Sequence, residues 1–269
     1  MIEMAGEPDA VGCYRQGTAG DTYNTAVYLA RAGLPVHYLT RLGDDSWSSA
    51  MLQTMQQQRI GTGLIQREAG RQPGLYVIRN DSDGERHFSY WREHSPARQL
   101  FDRIPALGNP ALFYFSGITL AVCREQLGNL VATLLGLRQA GCHIVFDPNY
   151  RARLWCEDED VQSVYREVLG LCDTVLPTLE DEAALWGMTT VEQCAAFYKG
   201  LGAGEVVIKA PCLTAHLWRG DEQWQLQAEA VTAVDTTGAG DSFNAGYIAA
   251  CYGGADPLQA LAAAQDLAA

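Results

Sequence analysis

Short strand-like runs of apolar residues alternate along this chain with longer stretches of helical period. The strand-like runs lie at 36–42, 112–117, 143–147, 173–176 and 205–209. The run at 112–117 is continuously apolar, which is typical of a strand buried on both faces of a parallel sheet. The first predicted helix ends at Arg31. The others span about 47–59 and 123–140, include 165–169, span 241–252 and begin again at 256. This order predicts an α/β fold with a doubly wound, mostly parallel sheet flanked by helices.

Two further runs, at 74–79 and 85–92, alternate between apolar and polar residues and are joined by Asn-Asp-Ser-Asp-Gly. This is a hairpin signal. A hairpin rich in aromatic residues and arginines has little place in a doubly wound core. We therefore interpret the segment near 73–98, with residues near 8–18, as a small β lid that closes over substrate within a single domain of 1–269. A surface hairpin or a dimer contact is the alternative, and it is compatible with a lid.

Composition narrows the class of protein. The chain has 269 residues, 48% of them hydrophobic, which is enough for a full core. A net charge of −13 argues against nucleic acid or an anionic membrane as a partner. No secretory signal or run long enough to span a bilayer is visible, so we expect a cytoplasmic protein. The 8 cysteines form no Cys-x-x-Cys pair, which favours reduced thiols.

The sequence Gly238-Ala239-Gly240-Asp241 precedes an Ala-rich helical run. A tight turn here lets several backbone N–H groups point at one anion, where the helix dipole is positive. A carboxylate beside a bound phosphate is unfavourable unless it has a task, such as accepting the proton of a hydroxyl that attacks the phosphate. Asp241 is therefore a candidate general base, with the backbone of Gly238, Ala239 and Gly240 as the anion site. The simpler alternative is a helix that begins after a Gly-rich loop.

Two other groups of residues suit a sugar-like ligand. Gly20, Asp21 and Asn24 follow a small-residue loop and can hydrogen-bond to sugar hydroxyls, although an N-cap at the start of the helix explains the pattern equally well. In the hairpin, Tyr90 and Arg92 are two residues apart and share one face, and Tyr76 stands on the other strand. Tyr and Arg on one face fit a polar ligand with a carboxylate, which guanidinium can hold through two hydrogen bonds.

Asp-Thr-Thr-Gly-Ala-Gly-Asp-Ser-Phe, at 235–243, resembles nearly letter for letter the signature of the ribokinase-like (PfkB) family of sugar kinases. The resemblance covers essentially all 269 residues. It implies a kinase fold, ATP and Mg²⁺ as cofactors, and a sugar site at Gly20 and Asn24, where Ala19-Gly20 replaces the usual Gly-Gly. Relative to the family both ends look short, so we expect a fragment or a short form.

Within that family, Pro73-Gly74-Leu75-Tyr76, Tyr90-Trp91-Arg92 and Ala97-Arg98-Gln99-Leu100 are similar to the kinases of the sugar acid 2-keto-3-deoxygluconate. The similarity implies that Arg92 holds the carboxylate and that Tyr76 and Tyr90 shape the site. Phe-Asp-Pro-Asn-Tyr-Arg, at 146–151, belongs to the same similarity and implies that Asn149 and Arg151 contact substrate or phosphate. A kinase for a neutral sugar such as fructose or ribose, and a non-catalytic sugar or nucleotide binder, are the alternatives. We also expect a homo-oligomer formed through the lid.

The family places Asn-x-x-Glu near the magnesium and the phosphates, and this chain has Thr178 and Asp181 there. Both are oxygen ligands suited to hydrated Mg²⁺, so the resemblance implies that Thr178 binds the nucleotide and Asp181 the metal. A helix N-cap at Thr178 with acids in the first turn explains the same residues, and we expect both roles to coexist. The resemblance also implies that Lys209 and Thr237, with Gly238 and Gly240, bind the nucleotide. Pro211 stands where the family usually has Gly after Lys-x, so the backbone must differ there.

Overall fold

A computed structural model describes residues 1–6, 12–80, 86–229 and 238–269. The chain divides into two compact units, Met1–Pro105 and Ala106–Ala269. Each unit combines strands with helices, which confirms the predicted α/β class. Thr237, part of the segment near 8–18 and most of the hairpin turn lie outside the described residues.

The first unit is built from short strands and two helices. Its elements are β1 (Ile2–Gly6), β2 (Tyr14–Thr18), α1 (Asp21–Arg31), β3 (Thr40–Gly43), α2 (Ser46–Gln57), β4 (Ile65–Glu68), β5 (Leu75–Asn80) and β6 (Arg86–Trp91). Among the described strands one sheet has the order β2-β1-β5-β6, and β3 pairs with β4 separately. β5 and β6 are antiparallel, so the two strands of the predicted hairpin are confirmed.

The predicted strand at 36–42 is shorter than its pattern indicated. β3 begins only at Thr40, and His37 forms one isolated bridge with Gly61. The reason is the partner segment, which turns at 62–64 before it continues as β4. After β3, the carboxylate of Asp45 accepts hydrogen bonds from the backbone of Trp47 and the side chain of Ser48 and caps α2. Burial alone would raise the pKa of Asp45, but these hydrogen bonds outweigh it and the pKa is lowered.

The second unit contains a larger sheet and most of the helices. Its strands are β7 (Leu112–Ser116), β8 (His143–Asp147), β9 (Thr174–Val175), β10 (Glu205–Ala210), β11 (Thr214–Arg219) and β12 (Glu222–Gln227). Its helices are α3 (Gly117–Val122), α4 (Leu127–Gln139), α5 (Val161–Leu169), α6 (Leu179–Trp186), α7 (Val191–Gly200), α8 (Ala239–Tyr252) and α9 (Pro257–Ala268).

The described strands of this sheet follow the order β12-β11-β10-β9-β8-β7. β7 to β10 are parallel, and β11 and β12 continue the sheet antiparallel. Neighbouring residues such as Val206 and Val207 are both fully buried, so helices or chain cover both faces of the central strands. The strands predicted at 112–117, 143–147, 173–176 and 205–209 are confirmed, and they are parallel as the alternation of strands and helices predicted.

The helix predicted at about 123–140 is confirmed as α4, which begins four residues later, at Leu127, and the helix before it, α3, was not predicted. α3 begins directly after β7, where the Ser116 hydroxyl accepts a hydrogen bond from the Thr119 N–H. A short 3₁₀ turn then leads into α4. The backbone at Cys123 and Gln126 departs from helical angles, with φ of −106° and −111°. No helix in the described residues has both the length and the apolar character needed to cross a membrane.

Candidate active site

The first turn of α8 has the features that the sequence predicted for an anion site. Gly238 precedes the helix in the left-handed conformation, with φ of 81°, which a residue with a Cβ adopts at a cost. The first N–H groups of a helix have no partner inside the helix, and the dipole is positive there. No described atom lies within 4 Å of the place that a Cβ would take at Gly240, so a ligand can approach this backbone closely. Asp241 lies in this turn and is 9% exposed.

One turn after Asp241, the fully buried side chain of Asn244 joins three other polar groups. Its Nδ2 donates to Asp147 Oδ2 at 2.8 Å and to Tyr114 Oη at 3.1 Å, and its Oδ1 accepts from Lys209 Nζ at 2.9 Å. Lys209 Nζ also lies 3.6 Å from Asp147 Oδ1. We call these four residues the buried polar network. It contains one carboxylate and one ammonium group, so its charges balance.

The backbone brings two of the predicted nucleotide ligands together. Thr178 forms an isolated parallel bridge with Lys209, and the Lys209 N–H donates to Pro177 O at 2.9 Å. Thr178 is the N-cap residue of α6, but its side chain makes no capping hydrogen bond. Acids occupy the first turn of α6, as predicted. The roles of Thr178 and Lys209 toward a nucleotide stay predictions.

Asp181, the predicted metal ligand, is paired with the predicted substrate residue Arg151. Arg151 Nη1 donates to Asp181 Oδ1 at 2.8 Å and to Oδ2 at 2.9 Å. Burial raises the pKa of Asp181, and the guanidinium of Arg151 only partly opposes that rise. The next residue, Glu182, is fully buried and accepts a hydrogen bond from Tyr198 Oη at 2.6 Å. Burial raises its pKa to about 8.

Close packing restrains the backbone at the start of the loop after β8. Asn149 is buried and has a positive φ of 34°. The preceding carbonyl, Pro148 O, accepts a hydrogen bond from Tyr165 Oη at 2.8 Å. A Cβ at Gly117 would lie 1.9 Å from Pro148 O, so only glycine fits there without moving the loop. These contacts restrain the start of the loop that carries Asn149 and Arg151.

The turn after β10 shows the backbone change that Pro211 implied. Cys212 and Leu213 both have positive φ, of 58° and 55°. Such conformations cost non-glycine residues free energy, so surrounding contacts must maintain them. Gln265 of α9 supplies one of these contacts, because its Nε2 donates to Leu213 O at 2.7 Å.

In the first unit, Gly20 occupies the N-cap position of α1 with φ of 153° and makes no side-chain cap. Asp21 and Thr22 therefore do not serve as the N-cap, and the Thr22 hydroxyl lies 2.9 Å from Tyr38 Oη instead. Asp21 and Asn24 lie at the start of α1, and the Asn24 N–H donates to Gly20 O at 2.7 Å.

The hairpin places Tyr76, Phe88, Tyr90 and Arg92 on one face. Tyr76 lies opposite Tyr90, with ring centroids 5.7 Å apart, and Phe88 lies 6.3 Å from each of them. The guanidinium carbon of Arg92 lies 4.4 Å from the centre of the Tyr90 ring. Tyr76 Oη donates to the carboxylate of Glu3, which our sequence reasoning did not identify. The alternation of β1 could have revealed it, because Glu3 is in register with Tyr76.

The second unit thus contains Asp241, Gly238 to Gly240, Asn149, Arg151, Thr178, Asp181 and Lys209, and the first unit contains Gly20, Asp21, Asn24, Tyr76, Tyr90 and Arg92. Sequence reasoning also missed Asp147 and Asn244. The signal for Asn244 was a polar residue between the apolar neighbours Phe243 and Ala245 of this helix.

Comparison with known proteins gives consistent results. The family described as pfkB family carbohydrate kinase matches residues 2–269. The 2-dehydro-3-deoxygluconokinase of Escherichia coli K12 is 42% identical over 269 residues, which cover 93% of this chain and 84% of the relative.

Two solved structures are similar in fold. The PfkB protein from Polaromonas sp. JS666 has a TM-score of 0.90 and 28% identity, and the match covers 100% of this chain and 91% of that one. The fructokinase from Vibrio cholerae O395, solved with fructose, ADP and a calcium ion, has a TM-score of 0.84 and 24% identity, and covers 98% and 86%.

Proposed function

Since the chain belongs to the pfkB family of carbohydrate kinases, we propose that it transfers the γ-phosphoryl group of ATP to the sugar acid 2-keto-3-deoxygluconate. The product is 2-keto-3-deoxy-6-phosphogluconate. The relative that is 42% identical bears the name of this activity, which supports the choice of substrate. The observation that carries the proposal is the position of Asp241, in the first turn of a buried helix that begins after a left-handed glycine.

In the proposed reaction, the carboxylate of Asp241 accepts the proton of the primary hydroxyl as its oxygen attacks the γ-phosphorus. The new O–P bond forms while the bond between the γ-phosphorus and the bridging oxygen breaks, and ADP leaves with that oxygen. The backbone N–H groups of Gly238, Ala239 and Gly240 stabilise the charge on the transferred group. The open space beside Gly240 supports this role, because phosphate oxygens need close access to the N–H groups.

The sugar acid differs from a neutral sugar in its carboxylate, and Arg92 is the proposed partner of that group. The guanidinium lies over the Tyr90 ring, so the ring restrains its plane. Tyr76 and Tyr90 contribute to the same face, and the carboxylate of Glu3 gives it a hydrogen-bond acceptor for sugar hydroxyls. Gly20, Asp21 and Asn24 are proposed to bind further hydroxyls.

Magnesium is proposed to accompany ATP and to neutralise charge on its phosphates. The described residues contain no cluster of three or more His, Cys, Asp and Glu side chains that would form an all-protein metal site. A single carboxylate fits Mg²⁺, which keeps several waters and takes phosphate oxygens as ligands. Asp181 meets this need: Arg151 occupies one lone pair of each oxygen, and the others can accept hydrogen bonds from metal-bound water.

Thr178, Lys209 and Thr237 are the remaining proposed nucleotide contacts, and Asn149 and Arg151 the remaining substrate contacts.

We further propose a homo-oligomer formed through the sheet that contains β5 and β6. Trp91 supports this, because it is 59% exposed on β6, which lies at the edge of that sheet. A cytoplasmic location is part of the proposal, because the proposed reaction uses ATP as the phosphoryl donor.

The test is an ADP-release assay with 2-keto-3-deoxygluconate, fructose and ribose as separate acceptors, run beside calorimetric titrations with ATP and each sugar. We expect turnover with the sugar acid at a kcat/KM at least about 100-fold above that with either neutral sugar. Preference for fructose or ribose would overturn the substrate. Binding of ATP and sugar acid without ADP release would overturn the enzymatic function and leave a binding protein.

A further inference from the structure

Helix α8 is unusual in this fold because it is buried on every side where it carries Asp241. All residues from Asp241 to Ile248 are buried, including Ser242 and Asn244. Close packing, such as that of Gly246 against α9, limits the rotation of a buried helix about its axis, and directional polar contacts restrain it further. The direction of the Asp241 carboxylate depends on that rotation. Directional contacts near Asp241 therefore help to fix it.

Asn244 supplies such contacts. It lies three residues after Asp241, which is just under one helical turn. Its side chain uses both amide hydrogens and the carbonyl oxygen, toward β8, β7 and β10 respectively. These bonds point in three directions from one side chain. They restrain the rotation of α8 and also its shift along the axis.

The charges of the buried polar network explain why an amide stands at this position. Asp147 and Lys209 compensate each other at 3.6 Å, and each also needs a polar partner because both are largely buried. Asn244 offers a donor to the carboxylate and an acceptor to the ammonium, which neither a carboxylate nor a hydrocarbon at this position would do. An apolar residue would leave Asp147 and Lys209 short of a hydrogen bond.

We propose that Asn244 is a positioning residue for phosphoryl transfer. It orients Asp241, because its hydrogen bonds to Asp147, Tyr114 and Lys209 hold the first turns of α8 in place. This inference rests on the proposed function. Asn244 touches no reacting atom in this scheme, and its effect passes through the placement of Asp241. Loss of these hydrogen bonds lowers kcat, because a displacement of about 1 Å at a reacting group can lower the rate on the order of 100-fold.

The main variant is Asn244→Asp, which keeps the shape of the side chain but faces Asp147 with a second acceptor. We expect kcat with 2-keto-3-deoxygluconate to fall at least about tenfold while the KM for the sugar acid changes little. The reversed pair, Asn244→Asp with Asp147→Asn, restores one carboxylate, one amide and one ammonium. Tyr114 can donate as well as accept, so all four groups are again satisfied. We expect the reversed pair to recover kcat to within about twofold of the wild type, a difference below the usual range for a lost hydrogen bond.

Thr174→Val is the matched control. Thr174 is also buried and hydrogen-bonded, but its partners His143 and Glu205 lie at the beginnings of β8 and β10, away from the network at the other ends of these strands. This variant should lower the melting temperature and leave kcat unchanged. If Asn244→Asp behaves in the same way, with a lower melting temperature and an unchanged kcat, Asn244 is structural only and the proposal is overturned.

Asn244→Ala introduces no charge and serves if Asn244→Asp does not fold. It should show the same loss of kcat, and an unchanged kcat would overturn the proposal.

If the wild type fails to phosphorylate the sugar acid, the proposed function fails, and the positioning role is then judged by hydrogen exchange. The Ser242 N–H donates to Gly238 O at 2.8 Å beside Asp241. Its exchange should accelerate in both single variants and return toward the wild-type rate in the reversed pair, and equal rates in all of them would overturn the inference.

Discussion

Arg151 holds both carboxylate oxygens of Asp181 through one nitrogen, at 2.8 and 2.9 Å. This pairing works against the burial of Asp181, which raises the pKa of the carboxyl group. Nearby Asp147 raises it as well, and Lys209 lowers it. The ionised form of Asp181 therefore depends on Arg151, and so does its ability to accept hydrogen bonds from metal-bound water.

We predict that Arg151→Gln raises the magnesium concentration needed for half-maximal ADP release. Without the guanidinium, burial raises the pKa of Asp181 further, and a larger fraction of the carboxyl group is protonated as the pH falls. The increase should be larger at pH 6 than at pH 8. Magnesium titrations at saturating sugar acid measure it, with the exposed Arg153→Gln as the control. An unchanged magnesium requirement at both pH values would contradict the role of this pair.

Asp241→Asn should lower kcat by about 10²- to 10⁴-fold, because the amide cannot accept the proton of the attacking hydroxyl. The dissociation constants of ATP and sugar acid should stay within about threefold, since the change is nearly isosteric. Single-turnover ADP release and calorimetry measure the two quantities. Asp221→Asn removes the same charge at a fully exposed site and should leave both unchanged. Wild-type turnover in Asp241→Asn would contradict the role of Asp241 as general base.

Local patterns predicted most of the strands and several side-chain faces. Alternation alone placed Tyr90 and Arg92 on one face, and the structure has Arg92 over the Tyr90 ring. The break between α3 and α4 was not predictable in this way, because Cys123 and Gln126 are not helix breakers and only their backbone angles show the interruption.

The buried polar network was missed for a different reason. Asn244 is 97 residues from Asp147 and 35 from Lys209 along the chain. Their partnership follows from the adjacency of strand ends, which no local pattern encodes. The sequence identified Lys209 as a candidate ligand because it ends a strand, but only the fold shows that its ammonium group already has two polar partners.

Arg92→Leu should raise the KM for 2-keto-3-deoxygluconate about 10- to 100-fold, as expected for the loss of a charge-assisted hydrogen bond. Weak turnover of fructose should not change, because fructose has no carboxylate. Arg79→Leu is a matched control in the same hairpin, since Arg79 is exposed and three residues from Tyr76, on the opposite face. Equal effects on both sugars would show that Arg92 supports the sheet rather than the carboxylate.

Gly246→Ala should destabilise the protein by about 1–3 kcal/mol, the usual cost of overpacking. A Cβ at Gly246 would lie 2.7 Å from Ala263 O and 2.9 Å from Ala264 Cα, so α8 and α9 would have to separate. The matched change is Gly136→Ala in α4, where no described atom lies within 4 Å of the new Cβ. That change should stabilise by about 0.5–1 kcal/mol through helix propensity. Urea unfolding measures both, and equal effects would contradict the close approach of α8 and α9.

Glu182 should make the stability of the protein fall as the pH rises toward 8. Burial is the main cause that raises its pKa from the ordinary 4.5 to about 8; Asp181 and Asp147 add to the rise, whereas the hydrogen bond from Tyr198 and the charge of Lys209 oppose it. Between these two values the folded protein keeps the proton and the unfolded chain has lost it. The stability that this proton contributes is complete below about 4.5 and is lost as the pH rises through the folded pKa.

Glu182→Gln removes this dependence, because the amide stays neutral and its oxygen still accepts the hydrogen bond from Tyr198 Oη. The melting temperature of the variant, relative to the wild type, should therefore rise steadily between pH 5 and pH 8. Scans are run without nucleotide or magnesium, so that ligand binding does not contribute. Glu180→Gln, in the same turn at an exposed site, is the control for the loss of a glutamate carboxyl group. A constant difference for Glu182→Gln would mean that Glu182 is ionised in the folded protein throughout this range.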